Sequence, residues 1–273
     1  MTGGNAYVLV LLFATPVPTL TENLSRRRNL MQNKVRRFAF VLALPLILRI
    51  DSPAQDSMAG VAKQRKSSTT TIALKITKKD QSVMLRALSS LVPIDPNAHA
   101  TGFFVGEGLV MTSHHVVSGK LSTHKKRMLG FKAEDELRVQ AYVNGCEAKI
   151  VKVDKEADLA LLRVCSSKPT QRLKFQSAPN KDERMLLIAQ PGDQKMVRLG
   201  NFKGQYNFRG NEYWSVKIEG QDGFSGSPVY NSNGEVVGVF CLYDWSQGIA
   251  LLSPGVKAQQ FLADYDASLL SQP

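Results

Sequence analysis

The chain has 273 residues, 43% of them hydrophobic and 21% charged, and a net charge of +12. That balance excludes a disordered or fibrous protein and points to one globular domain with additional segments. The positive surplus raises anionic partners as a question for the segments that carry it.

The first fifty residues do not resemble a globular domain. Met31 to Arg37 is a basic start, Phe38 to Leu48 is an apolar run broken by Pro45, and Ser52-Pro53-Ala54 ends in a small residue. This order is that of a secretory signal peptide. The run is shorter than the roughly 20 apolar residues that span a bilayer, so no transmembrane span is expected in the mature protein; a buried helix or an uncleaved anchor is the alternative. A second apolar run, Tyr7 to Ala14, and a second basic cluster, Arg26-Arg27-Arg28, precede it, which puts the expected start at Met31. Cleavage after Ala54 removes seven basic and two acidic side chains and lowers the net charge from +12 to +7. The expected organisation is a leader over 1–54, a basic Ser/Thr-rich linker over 55–79 and a folded domain over 80–273, exported to the periplasm or beyond. Residues 63–79 read as a solvated linker or an arm that meets an anionic surface. They lack the interleaved aromatics of single-strand binders, so no specific nucleic acid partner is expected.

Asp80 to Leu91 places Val83, Leu85, Leu88 and Leu91 near helical spacing, ended by Pro93 and Pro96. Short apolar runs separated by turn residues follow. "TGFFVGEGLVMT" is a hairpin around Gly106-Glu107-Gly108, and "RVQAYVNGCEAKIVKV" turns at Asn144-Gly145. "DLALLRV", "RMLLIAQ", "VRLGNF", "YWSVKIE", "SPVYN" and "EVVGVFCLY" continue the series, and only residues 253–270 read as a closing helix. Many short strands with Gly and Asn at the turns predict an all-β barrel or sandwich. Cys146 and Cys165 bracket two strands joined at Asp154 to Ala157, so folding about that turn brings them together and predicts a disulfide, as suits an exported protein. Cys241, within "VVGVFCLY", is the expected buried free thiol.

Chemistry concentrates in "GFSGSP", residues 223–228. A serine flanked by glycines can sit where backbone N–H groups converge on one small space, the arrangement of an oxyanion hole beside a nucleophile. A serine hydroxyl needs a base, and the base needs an orienting group. "VMTSHHVV" supplies His114 and His115, and "EADLALLRV" supplies Asp158 directly before an apolar strand. Asp154 and Glu156 compete with Asp158, but as carboxylates of the predicted turn they read as solvated.

These three segments resemble those of chymotrypsin-fold serine endopeptidases, and more narrowly the HtrA/Deg-type and glutamyl-endopeptidase-type branches. "ATGFFVGEGLVMTSHHVV" is similar to their strand, glycine, strand and "T-x-x-H-V-V" segment, "EADLALLRV" to their "D-x-A-L-L-x-V" strand, and "GFSGSPVYNSNGEVVGV" to their "G-x-S-G-[GS]-P" segment with its following hairpin. The resemblance, over residues 80–270, implies two antiparallel six-stranded β-barrels with a C-terminal α-helix. It assigns His115 as base, Asp158 as its orienting carboxylate, Ser225 as nucleophile and the Gly223 and Ser225 N–H groups as oxyanion donors, in a peptide hydrolase acting on protein or peptide substrates without metal or cofactor. Phe224 stands where the digestive enzymes of the family carry an aspartate that pairs with a newly cut N-terminus, so that route of activation is not expected. The resemblance further implies a primary pocket formed by Glu219, Leu242, Tyr243 and Gly248 with its following residues. A carboxylate at Glu219 on its floor favours Lys or Arg; a surface carboxylate at a strand end is the other reading. Asp222 reads as an exposed loop charge, and His99 and His124 show no metal spacing with the cysteines. Two further hypotheses stand beside catalysis: a silent protease-fold protein that binds peptides, and a protein docked through 63–79 for which proteolysis is secondary.

Overall fold

The computed structural model describes residues 53–79, 97–165 and 173–271. The leader up to residue 52 and the helix expected over 80–91 lie outside the described residues.

Two closed antiparallel barrels of six strands each follow one another along the chain. The first contains β1 (Thr69–Lys78), β2 (Ala98–Gly106), β3 (Leu109–Ser113), β4 (Leu137–Val143), β5 (Cys146–Asp154) and β6 (Leu159–Arg163), in the order β1-β2-β3-β6-β5-β4. The second contains β7 (Arg184–Ala189), β8 (Met196–Phe208), β9 (Asn211–Val216), β10 (Pro228–Tyr230), β11 (Val236–Asp244) and β12 (Ile249–Pro254), in the order β10-β11-β12-β9-β8-β7. The predicted hairpins close as expected. Between β4 and β5, Asn144 and Gly145 both take positive φ (52° and 77°), the two-residue turn whose twist matches paired strands. Helix α4 (Gly255–Leu270) closes the described chain.

The segment 55–79 is not a linker or a free arm. Helix α1 (Pro53–Arg65) runs through a short 3-10 turn (Lys66–Ser68) into β1, which pairs with β2 on one side and β4 on the other and so closes the first barrel. The residue expected to precede the cleavage site, Ala54, lies in the first turn of α1. Charge hid a period-2 pattern here: Ile72, Leu74 and Ile76 are buried, while the intervening Ala73, Lys75 and Thr77 are half-exposed. Strands with β-branched residues on an inward face suit a barrel wall. Lys78 and Lys79 form ion pairs with Asp135 and Glu136, both at 2.9 Å.

Three cores hold the barrels together. Ile72, Phe104, Val110 and Leu162 fill the first barrel; Leu187, Val216, Val229 and Leu252 fill the second. The third joins both barrels and both long helices, through Phe103, Leu159, Leu161, Leu186, Ile188, Tyr230, Met58 and Phe261. Leu159 and Leu161 therefore face one core while Ala160 and Leu162 face another, which is why the strand reads as an unbroken apolar run. The predicted bridge is present: Cys146 opens β5, Cys165 follows β6, and the paired strands bring their Cα atoms to 6.0 Å. Cys241 is the buried free thiol.

Candidate active site

Register in the first barrel sets two of the site residues side by side. Strands β3 and β6 pair Ser113 with Leu159, so the chain leaving β3 meets the chain entering β6. Helix α2 (His114–Val117) begins at that point, and the His114 N–H donates to the Asp158 carbonyl at 3.0 Å. Asp158 takes a left-handed backbone conformation, φ 53°. Aspartate tolerates this better than most residues, yet it carries strain of about 1–3 kcal/mol that its surroundings must offset. Its carboxylate makes the offsetting contacts: Oδ1 accepts the His115 main-chain N–H at 2.9 Å, and Oδ2 lies 2.7 Å from His115 Nδ1.

The second barrel supplies the serine. His115 Nε2 lies 2.9 Å from Ser225 Oγ, in the loop between β9 and β10. Because the carboxylate can only accept, Nδ1 carries the proton of the neutral ring and Nε2 is left as the acceptor for the hydroxyl. Gly223 and Gly226 flank the serine, both with φ 84°. A methyl group at Gly223 would fall 2.5 Å from Pro191, and one at Gly226 would collide with Thr112 Oγ1 and the Thr101 carbonyl. Among the described residues no backbone partner engages the Gly223 or Ser225 N–H groups.

Residues that motif reasoning did not single out hold this loop. Thr101, fully buried on β2, donates its N–H to the Ser225 carbonyl (3.0 Å) and its hydroxyl to the Gly223 carbonyl (2.8 Å), while accepting the Gln190 N–H. Thr112 donates to the Thr101 carbonyl at 2.8 Å. A threonine among small and apolar neighbours in "AHATG" was the available signal, but the loop it supports lies more than a hundred residues further along the chain. Phe224 is buried edge-on to Phe240, so apolar packing anchors this position.

The remaining candidates fall as follows. Asp154 accepts the Glu156 and Ala157 N–H groups and shapes the β5–β6 turn. Asp222 is exposed, 3.6 Å from Lys125 of α3 (Thr123–Met128). Glu219 is exposed and lines a cavity of about 450 Å³ with Arg198, Gly220, Gln221, Asp222 and Trp245, so that wall carries both signs of charge. Leu242 and Tyr243 are half-buried on β11, and Gly248 precedes β12. His114 is half-buried; burial lowers its pKa, with Asp158 opposing that shift. Among the described residues no cluster of three or more His, Cys, Asp or Glu side chains could hold a metal ion.

Two six-stranded barrels that bring a serine, a histidine and an aspartate into one hydrogen-bonded line define a chymotrypsin-fold serine peptidase architecture. A family model described as a trypsin-like peptidase domain matches residues 100–239, and the chain belongs to that family. It is similar to glutamyl endopeptidase of Staphylococcus epidermidis, 28% identical over an alignment 160 residues long that covers 54% of this chain and 56% of that one. It is also similar to serine protease HTRA1 of Xenopus laevis, 28% identical over 183 residues, 62% of this chain and 36% of that one. The chain thus spans about half, or less, of the length of these relatives. Among solved structures, the active form of the Rv3671c protease of M. tuberculosis has the same fold, with a TM-score of 0.53 and 20% identity over 74% of this chain and 82% of that one.

Proposed function

We propose that this protein is an exported serine endopeptidase that hydrolyses peptide bonds through an acyl-enzyme. The observation that carries the reading is the unbroken line from Asp158 through His115 to Ser225, at 2.7 and 2.9 Å across two barrels. Ser225 Oγ attacks the scissile carbonyl carbon as His115 Nε2 takes its proton, and Asp158 stabilises the imidazolium that forms. The Gly223 and Ser225 N–H groups, which engage no backbone partner among the described residues, stabilise the oxygen of the tetrahedral intermediate as charge develops on it. Collapse expels the amine, which takes the proton from His115, and water then repeats the sequence on the acyl-enzyme. The disulfide between Cys146 and Cys165 supports export, since such bonds persist in oxidising compartments. No described helix is long and apolar enough to cross a membrane.

A fluorophosphonate serine-hydrolase probe tests the reading on the purified protein. Labelling is expected of the wild type and lost in both Ser225→Ala and His115→Ala. A folded wild type that stays unlabelled would instead support a silent, peptide-binding protein.

A further inference from the structure

The loop that carries Ser225 is closed against β11 at two points. At one end the Gly226 N–H donates to the Phe240 carbonyl at 2.8 Å. At the other, Gly220 lies directly beneath Tyr243: a methyl group on Gly220 would fall 2.6 Å from both Cγ and Cδ2 of the ring. Loop residues 221–225 and strand residues 241–243 therefore enclose a space beside the serine. Its far wall is the start of β12, where Tyr243 pairs with Ala250 and the Tyr243 hydroxyl comes within 3.6 Å of where a Gly248 Cβ would stand. The phenol ring reaches from one wall to the other. Trp245, itself 78% exposed, stands edge-on to that ring with centroids 4.7 Å apart and holds it in place from the solvent side.

Charge around the loop is mixed and does not by itself select a basic side chain. Lys217 Nζ donates to the Gln247 carbonyl at 3.2 Å and would lie 3.0 Å from a Gly248 Cβ. Arg198 lines the cavity with the exposed Glu219 and Asp222, so cations and carboxylates both surround it.

With the carbonyl carbon over Ser225 Oγ and its oxygen turned to the Gly223 and Ser225 N–H groups, the residue contributing that carbonyl directs its side chain into the space between loop and strand. We propose that Tyr243 is the specificity-determining residue of this site: its ring fills the pocket, and the enzyme cleaves after Gly, Ala or Ser rather than after long, charged or aromatic residues. The proposal rests on the endopeptidase reading above. Differences of a methylene or more in a closed pocket are worth about 10- to 200-fold in kcat/KM.

The test is a peptide library randomised at the residue before the scissile bond, cleaved by the full chain and by Tyr243→Phe, Tyr243→Ala and Tyr243→Val. Fluorophosphonate labelling identifies which preparations have a working nucleophile. Cleavage after Gly, Ala and Ser is expected to exceed cleavage after Leu, Phe, Lys and Glu by about 10-fold or more. Tyr243→Phe, which keeps the ring, should retain that order. Tyr243→Ala should move the preference to larger residues, and Tyr243→Val, whose β-branched side chain favours a strand, gives the same shift if the alanine variant does not fold. The proposal is overturned by a labelled wild type that prefers Lys or Arg and loses that preference in Glu219→Gln, or by labelled Ala and Val variants with the wild-type order. A wild type without labelling overturns the endopeptidase reading itself.

Discussion

His114 and His115 are chemically identical neighbours, and what separates them is where the backbone of α2 points each ring. His115 meets Asp158 through both its main-chain N–H and its Nδ1, whereas His114 gives Asp158 only its main-chain N–H. Its imidazole is half-buried, and desolvation pushes its pKa below the usual value near 6.5. A histidine held neutral in the folded state contributes stability that is present above the unfolded pKa and is lost as pH falls from there toward the lower folded value. Urea unfolding at pH 7 and pH 5 should therefore show a larger loss of stability in the wild type than in His114→Gln. Equal losses would mean that His114 is not desolvated.

The loop that carries Ser225 is held as an element by contacts from the other barrel. Thr101 and Thr112 reach it from β2 and β3, and Gly226 is the position where they press hardest. Gly226→Ala combines a left-handed φ with a collision against the Thr101 carbonyl, which cannot rotate away as a side chain end could. A cost of about 2 kcal/mol or more is expected from overpacking and backbone strain together, seen as a lowered thermal midpoint and weaker probe labelling. An unchanged midpoint would show that the loop is free to shift. Thr101 escaped notice in the sequence because a buried threonine in a strand looks the same whether it bonds a neighbour or a loop in the other barrel.

At the scale of the whole molecule, the core shared by both barrels also takes in α1. Met58 is 2% exposed and Val61 6%, and the Ser57 hydroxyl donates to the Ser232 carbonyl of the second barrel at 2.9 Å, while the same segment continues into β1 of the first. Residues 53–78 thus tie the barrels that jointly form the site. Met58→Ala should cost about 2–5 kcal/mol, read from the denaturant midpoint. A loss under about 0.5 kcal/mol, the size of an ordinary surface change, would mean that α1 adds nothing to the fold.

Much of this was written locally. Short apolar runs separated by Asn-Gly or Glu-Gly turns predicted the strands, because a strand's apolar stretch and its turn conformations are properties of adjacent residues. Three motifs in chain order indicated His115, Asp158 and Ser225, and two cysteines flanking one hairpin indicated their bridge. The lysines of β1 concealed a barrel strand because its inward face carries only Ile72, Leu74 and Ile76 among charged and hydroxyl residues, and pairing with β2 and β4 is what makes that face a core. The support of the serine loop by Thr101 and the lodging of Tyr243 between Gly220 and Gly248 were likewise settled only in three dimensions. Both depend on which backbone segments approach within van der Waals distance, and that is decided by the packing of the strands around each barrel and of one barrel against the other.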